Sequence, residues 1–81
     1  MPKNEIRLYI VNTFLFGDGT RLSDDTPLLE THIVDSTGVL EIVSFLEERF
    51  GIRVHDQELV PENLNTINNI ARFLELKRAR A

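Results

Sequence analysis

The stretch from residue 36 to residue 51 constrains the fold more than any other part of the chain. At about 100° per residue, Val39, Ile42, Val43, Leu46 and Phe50 fall in one arc of a helix. Thr37, Leu40, Glu41, Ser44, Glu47 and Glu48 fall on the opposite side. Asp35 or Ser36 is suited to cap the start, and Gly51 supplies a left-handed stop, so the pattern predicts a helix over 36–50. A helix of this length is marginal alone, and its apolar stripe has to be covered by other elements.

Those elements are also helical in pattern. Ile6, Tyr9, Ile10 and Phe14 follow helical spacing, and Gly17-Asp18-Gly19 ends the segment, which predicts a helix over about 3–16. Near the other end, an Asn65 or Thr66 cap precedes Ile67, Ile70, Ala71, Phe73 and Leu74, which predicts a helix over about 66–77. Its basic end, Lys77-Arg78-Ala79-Arg80, is expected to fray while complementing the helix dipole. Asp56 opens a short helical turn over about 56–60 that carries Leu59 inward, with Pro61 as its breaker. Residues 17–35 keep Leu22, Leu28, Leu29, Ile33 and Val34 without periodicity, which predicts a long loop held in order by its own aliphatics. No strand pattern or internal repeat competes. The expected fold is all-α: a small four-helix bundle of three main helices plus one short one, as a single domain over 1–81.

At 81 residues the chain has no room for a second core, and a deep substrate cavity is not expected. Zero cysteines exclude disulfides, thiolate metal sites and a cysteine nucleophile. No apolar run reaches the roughly 18 residues of a membrane span, and a cytoplasmic address is the default expectation. Between Asp18 and Glu62 there are eleven acids against three bases (Arg21, Arg49, Arg53). Such a surface repels phosphate backbones, which argues against nucleic-acid binding, and it favours encounters with basic protein surfaces.

Catalytic and metal readings fail on their chemistry. Ser36, His32 and Asp35 lie close in sequence, but Val34 breaks the nucleophile-elbow pattern and no strand feeds the turn. His32 and His55 are twenty-three residues apart, too far for a local zinc site. In Asp18-Gly19-Thr20-Arg21-Leu22, an arginine and a leucine stand where a calcium loop needs oxygen ligands. No catalytic and no metal-ligating residue is assigned. Ser36 remains distinctive for its place at the junction of a long loop and an acidic helix. Unpaired amides at a helix start favour an attached anion, although capping alone would also account for Asp35 and Ser36.

The segment Asp35-Ser36-Thr37-Gly38-Val39-Leu40-Glu41 resembles the motif of the acyl carrier protein family, in which an aspartate–serine pair opens the second helix. Phe45-Leu46-Glu47-Glu48-Arg49-Phe50-Gly51-Ile52 resembles that helix and its exit, Thr66-Ile67 through Leu74 the last helix, and Asp24-Asp25-Thr26-Pro27-Leu28-Leu29-Glu30 the first loop. The resemblance spans roughly residues 5 to 76. It implies that Ser36 is the attachment point for 4′-phosphopantetheine, with Asp35 its motif neighbour, supplied from coenzyme A by a separate phosphopantetheinyl transferase. The arm's thiol would hold acyl or aminoacyl groups as thioesters, loaded by an activating ligase and passed to transferases or synthases. Thr37, Leu40, Glu41, Ser44, Glu47 and Glu48 would form the partner face, with Leu40 an apolar anchor in an acidic rim. The chain itself would be non-catalytic and monomeric.

Two departures bear on the pathway. Thr37 stands where the family usually has leucine, and the stretch from Val60 to Ile67 is longer than in carriers of ordinary fatty acid synthesis. Thr37 removes an apolar contact beside the attachment site and argues against recognition by general-purpose partners, and the longer stretch is similar to stand-alone carriers of D-alanyl, aminoacyl or secondary-metabolite pathways. The rival from another class is a small acidic interaction module that keeps the fold and never bears an arm.

Overall fold

In the computed structural model, which describes residues 2–20 and 22–80 (residue 80 by its backbone alone), helix α1 spans Pro2–Phe14, α2 Ser36–Phe50, α3 Pro61–Leu64 and α4 Ile67–Arg80. Arg21, one of the two residues that spoil the calcium-type pattern, lies outside the described residues. Among the described residues the fold is an all-α bundle, with three long helices and a short one.

Helix α2 has the predicted bounds. The Asp35 carboxylate accepts the Gly38 amide at 2.7 Å, and Gly51 closes the helix at φ 69° with its N–H on the Glu47 carbonyl. Ile42 and Leu46 are fully buried, whereas Val39, Val43 and Phe50 are half-buried at the edge of the core. Phe50 meets Phe45 edge to face and lies beneath the guanidinium groups of Arg49 and Arg78.

Helix α1 ends two residues before the predicted limit. Phe16 takes φ 54° and Gly17 φ 86°, so the backbone turns left-handed one residue before the glycine. The Gly17 amide reaches back to the Val11 carbonyl at 3.0 Å and closes the helix end. Ile6, Ile10 and Val11 enter the core, while Tyr9 stacks on Phe45 of α2 with centroids 4.1 Å apart. The Tyr9 hydroxyl donates to the Glu41 carbonyl.

The segment before α4 corrects the prediction of one turn over 56–60. A 3₁₀ turn covers only Asp56–Glu58, and Pro61 opens α3 instead of ending a helix. Proline's fixed φ suits a first helical position, where its missing N–H is no loss. Helix α4 starts behind Thr66, whose hydroxyl accepts the Asn69 amide. It continues through Arg80, so the basic end is helical and not frayed.

The long loop is ordered, but hydrogen bonds hold it as well as the buried Leu22, Leu28 and Val34. Leu28 N–H donates to the Asn65 carbonyl at 2.7 Å and Leu29 N–H to the Asn65 side chain at 3.0 Å. Asn68 holds Asp24 and Asp25 through its own amides, and Arg7 reaches the Leu22 carbonyl and the Asp24 carboxylate. The loop therefore enters α2 from a fixed direction, which positions Ser36.

Candidate functional site

Ser36 is the first residue of α2 and is exposed. Among the described residues no hydrogen bond holds its Oγ. Asp35, at φ −100° and ψ −175°, is the cap. Its side chain occupies the Gly38 amide and its carbonyl accepts from Val39, which leaves the amides of Ser36 and Thr37 without helical partners. An anion tethered to Ser36 Oγ would therefore meet open N–H donors at the positive end of the helix.

The position of this turn is set from beneath by Gly38. A Cβ there would lie 2.9 Å from Phe14 Cε1 and 2.9 Å from Val34 Cγ1, so the first turn of α2 rests directly on both side chains. The sequence marks Gly38 only as a small residue after the serine. The close approach comes from two other segments and has no local signal.

Two depressions flank Ser36. On one side an apolar groove of about 300 Å³ is lined by Leu29, Ser36, Val39, Leu40, Leu59, Val60, Pro61 and Leu64. It lies between the loop, α2 and the start of α3, and its far wall depends on Pro61 opening that helix instead of breaking one. On the other side a more polar depression of about 280 Å³ is bounded by Phe14, His32, Ile33, Asp35, Thr37, Gly38 and Glu41. His32 has φ 61° and is exposed, and among the described residues no hydrogen bond joins it to Ser36. His55 is exposed in a separate turn, and no group of three or more potential metal ligands occurs among the described residues.

Of the residues expected on the outer face of α2, Thr37, Leu40, Glu41, Ser44 and Glu48 are exposed. Leu40 is 56% exposed and also forms part of the groove wall, so it joins the two features. Glu47 differs, because its carboxylate turns inward to accept the Val54 amide at 2.9 Å. Burial, with Glu41 and Glu48 nearby, raises the Tyr9 pKa above its ordinary value, and the phenol donates to the Glu41 backbone carbonyl.

The described residues thus form a helical bundle with an unengaged serine at a capped helix start, next to an apolar groove. The sequence profile of the phosphopantetheine attachment site matches residues 15–74, and the chain belongs to this family of acyl carrier proteins. Its members carry 4′-phosphopantetheine covalently and are not themselves catalysts. The chain is 29% identical over 79 residues to the probable acyl carrier protein PigG of a Serratia species, covering 98% of this chain and 91% of that one. It is 34% identical over 70 residues to a D-alanyl carrier protein of Streptococcus suis, covering 86% and 87% of the two chains. A Bacillus velezensis D-alanyl carrier protein shares 38% over 61 residues, with 74% and 78% covered. A chain from a crystal structure of an FAD-dependent dehydrogenase superimposes with a TM-score of 0.75 at 26% identity, covering 84% of this chain and 96% of that one. No described helix is long and apolar enough to cross a membrane.

Proposed function

We propose that Ser36 is the attachment point for 4′-phosphopantetheine and that the chain is a stand-alone carrier of small acyl or aminoacyl thioesters. The observation that carries this reading is the exposed, unengaged Ser36 Oγ at the Asp35-capped start of α2, on the rim of the apolar groove. In the attachment step Ser36 Oγ forms a phosphoester bond with the phosphopantetheinyl phosphorus of coenzyme A. The bond to adenosine 3′,5′-bisphosphate breaks, and the serine proton passes to a base of the transferase. The carrier supplies no base of its own, which agrees with the absence of any side chain bonded to Ser36 Oγ among the described residues. The attached group brings the thiol that the cysteine-free chain lacks, and this chain's residues provide position and recognition.

A specialised carrier is favoured over the carrier of ordinary fatty acid synthesis. The names of the relatives support it, as do Thr37 after the serine and the extended segment that builds α3. The groove is modest, about 300 Å³, and suits a short cargo. Partners would be the transferase, an activating ligase, and enzymes that use the loaded thioester. The structural likeness supports a flavin-dependent dehydrogenase among the last class. Glu41 and Glu48 on the outer face, with Leu40 exposed on the same helix, favour partners that present basic side chains and an apolar contact. Dependence on coenzyme A is consistent with a cytoplasmic setting.

Incubating the purified chain with coenzyme A and a broad-specificity transferase tests the reading by intact mass. One phosphopantetheinyl group should be gained, and none by Ser36→Ala. An unshifted wild type would instead support an interaction module without an arm.

A further inference from the structure

Asn65 caps the end of α3 and bonds three consecutive residues of the long loop. Its carbonyl accepts the Leu28 amide at 2.7 Å, its Oδ1 accepts the Leu29 amide at 3.0 Å, and its Nδ2 donates to the Glu30 carboxylate at 2.7 Å. Its own amide donates to the Pro61 carbonyl at 2.9 Å, so the same residue is held by α3. Leu29 and Asn65 are 36 residues apart in sequence, and nothing local marks the pair.

This grip is passed on to Ser36. The Leu28 carbonyl accepts the Val34 amide at 3.1 Å and the Leu29 carbonyl that of His32 at 3.1 Å, so the loop folds back on the residues that Asn65 holds. Val34 is 1% exposed, and its Cγ1 would lie 2.9 Å from a Cβ on Gly38, which puts it against the first turn of α2. Asp35 and Ser36 follow Val34 directly. Close-packed side chains without spare room transmit displacement, so a shift of the loop at Leu28 and Leu29 moves the turn that carries Ser36.

Resting on the assignment of Ser36 as the attachment point, we infer that Asn65 is a positioning residue for the attachment reaction. Among the described residues no hydrogen bond joins it to Ser36, and it acts through Leu28 and Val34, which fix where Ser36 Oγ stands when coenzyme A is brought to it. Attack on phosphorus needs the oxygen held in place, and a misplacement of less than 1 Å is enough to cost about tenfold in rate. Asn65 bonds none of the outer-face residues Leu40, Glu41 and Glu48, so its loss should act on the chemical step and spare docking of the transferase.

The test uses the full chain, coenzyme A and a broad-specificity transferase. Initial rates are measured over a range of carrier concentrations, at a temperature where each variant keeps wild-type helicity by circular dichroism. Asn65→Ala should lower kcat about tenfold, with KM for the carrier within about twofold of wild type. Asn65→Asp keeps the acceptor for Leu29 but sets a carboxylate against Glu30, and it should lower kcat as well. Adding Glu30→Gln reverses the direction of that hydrogen bond and should restore kcat. Asn68→Ala removes a side-chain bond to Asp25, in the loop before Leu28, and should lower the melting temperature without changing kcat. A kcat at the wild-type level in Asn65→Ala, or in Asn65→Asp if the alanine variant does not fold, would overturn the inference. An equal loss of kcat in Asn68→Ala would also overturn it, because general loosening of the loop would then explain the effect. Attachment that persists in Ser36→Ala would instead overturn the assignment beneath it, so the two failures are distinguishable.

Discussion

Glu47 turns its carboxylate back onto the amide of Val54, 2.9 Å away, and so ties the outer face of α2 to the segment that follows it. Glu41, six residues earlier on the same helix, is exposed beside the Asp35-capped turn. The two acids look equivalent in the sequence and have different roles in the fold.

Charge reversal should separate them. Glu41→Lys should slow arm attachment severalfold while leaving the melting curve unchanged, since its side chain faces solvent and approaching partners. Glu47→Lys should lower stability by about 1 kcal/mol through the lost bond to the Val54 amide. Parallel rate assays and urea titrations check both. Equal behaviour of the two variants would contradict the structural assignment of Glu47.

Gly38→Ala should destabilise the chain even though alanine is the better helix former. The added methyl would meet Phe14 and Val34 at 2.9 Å, and Val34 is only 1% exposed and has little room to yield. Overpacking of this kind costs about 1–3 kcal/mol, set against a propensity gain of about 1. A net loss of about 1 kcal/mol is expected by chemical denaturation. A more stable variant would show that the start of α2 does not rest on Phe14.

Leu46→Ala and Phe50→Ala should differ in cost. Leu46 is fully buried, and its truncation should cost about 2–5 kcal/mol, comparable to the whole stability of a small domain. Phe50 sits at the edge, stacked edge-to-face on Phe45, so its loss should fall nearer 1–2 kcal/mol. Urea midpoints measure the difference.

Acid should loosen the loop and the segment before α4 first. The His55 amide and then Lys77 hold the Glu58 carboxyl below the usual carboxylate range, and Arg7 followed by Lys3 does the same for Asp24. Groups whose folded pKa is depressed add stability above their unfolded pKa and lose it as pH falls through the folded value. Stability should therefore be level from neutral pH down to about 5 and fall below about 4. In Glu58→Gln that acid-side loss should be shallower, as read from melting temperature against pH.

The elements most legible in the sequence were those specified locally. The apolar arc of α2, the Asp35 cap and the Gly51 stop are encoded within fifteen residues and appear as predicted. The aspartate–serine pair could be singled out because it stands at such a boundary. What the sequence left unread depends on distant partners. Phe16 reverses its backbone before the glycine does, Pro61 opens a helix once Leu64 has a core to enter, and the groove is walled by residues as distant in sequence as Leu29 and Leu59. Glu47 and Gly38 belong with them, since their roles lie in contacts with Val54, Phe14 and Val34.

Peptide-level fragmentation mass spectrometry of the chain after reaction with coenzyme A and transferase tests the central claim most directly. The phosphopantetheinyl group should map to Ser36 alone, at one per chain, and be absent from Ser36→Ala. A group found on another residue, or a wild-type chain that stays bare while a control carrier in the same tube is modified, would contradict the account.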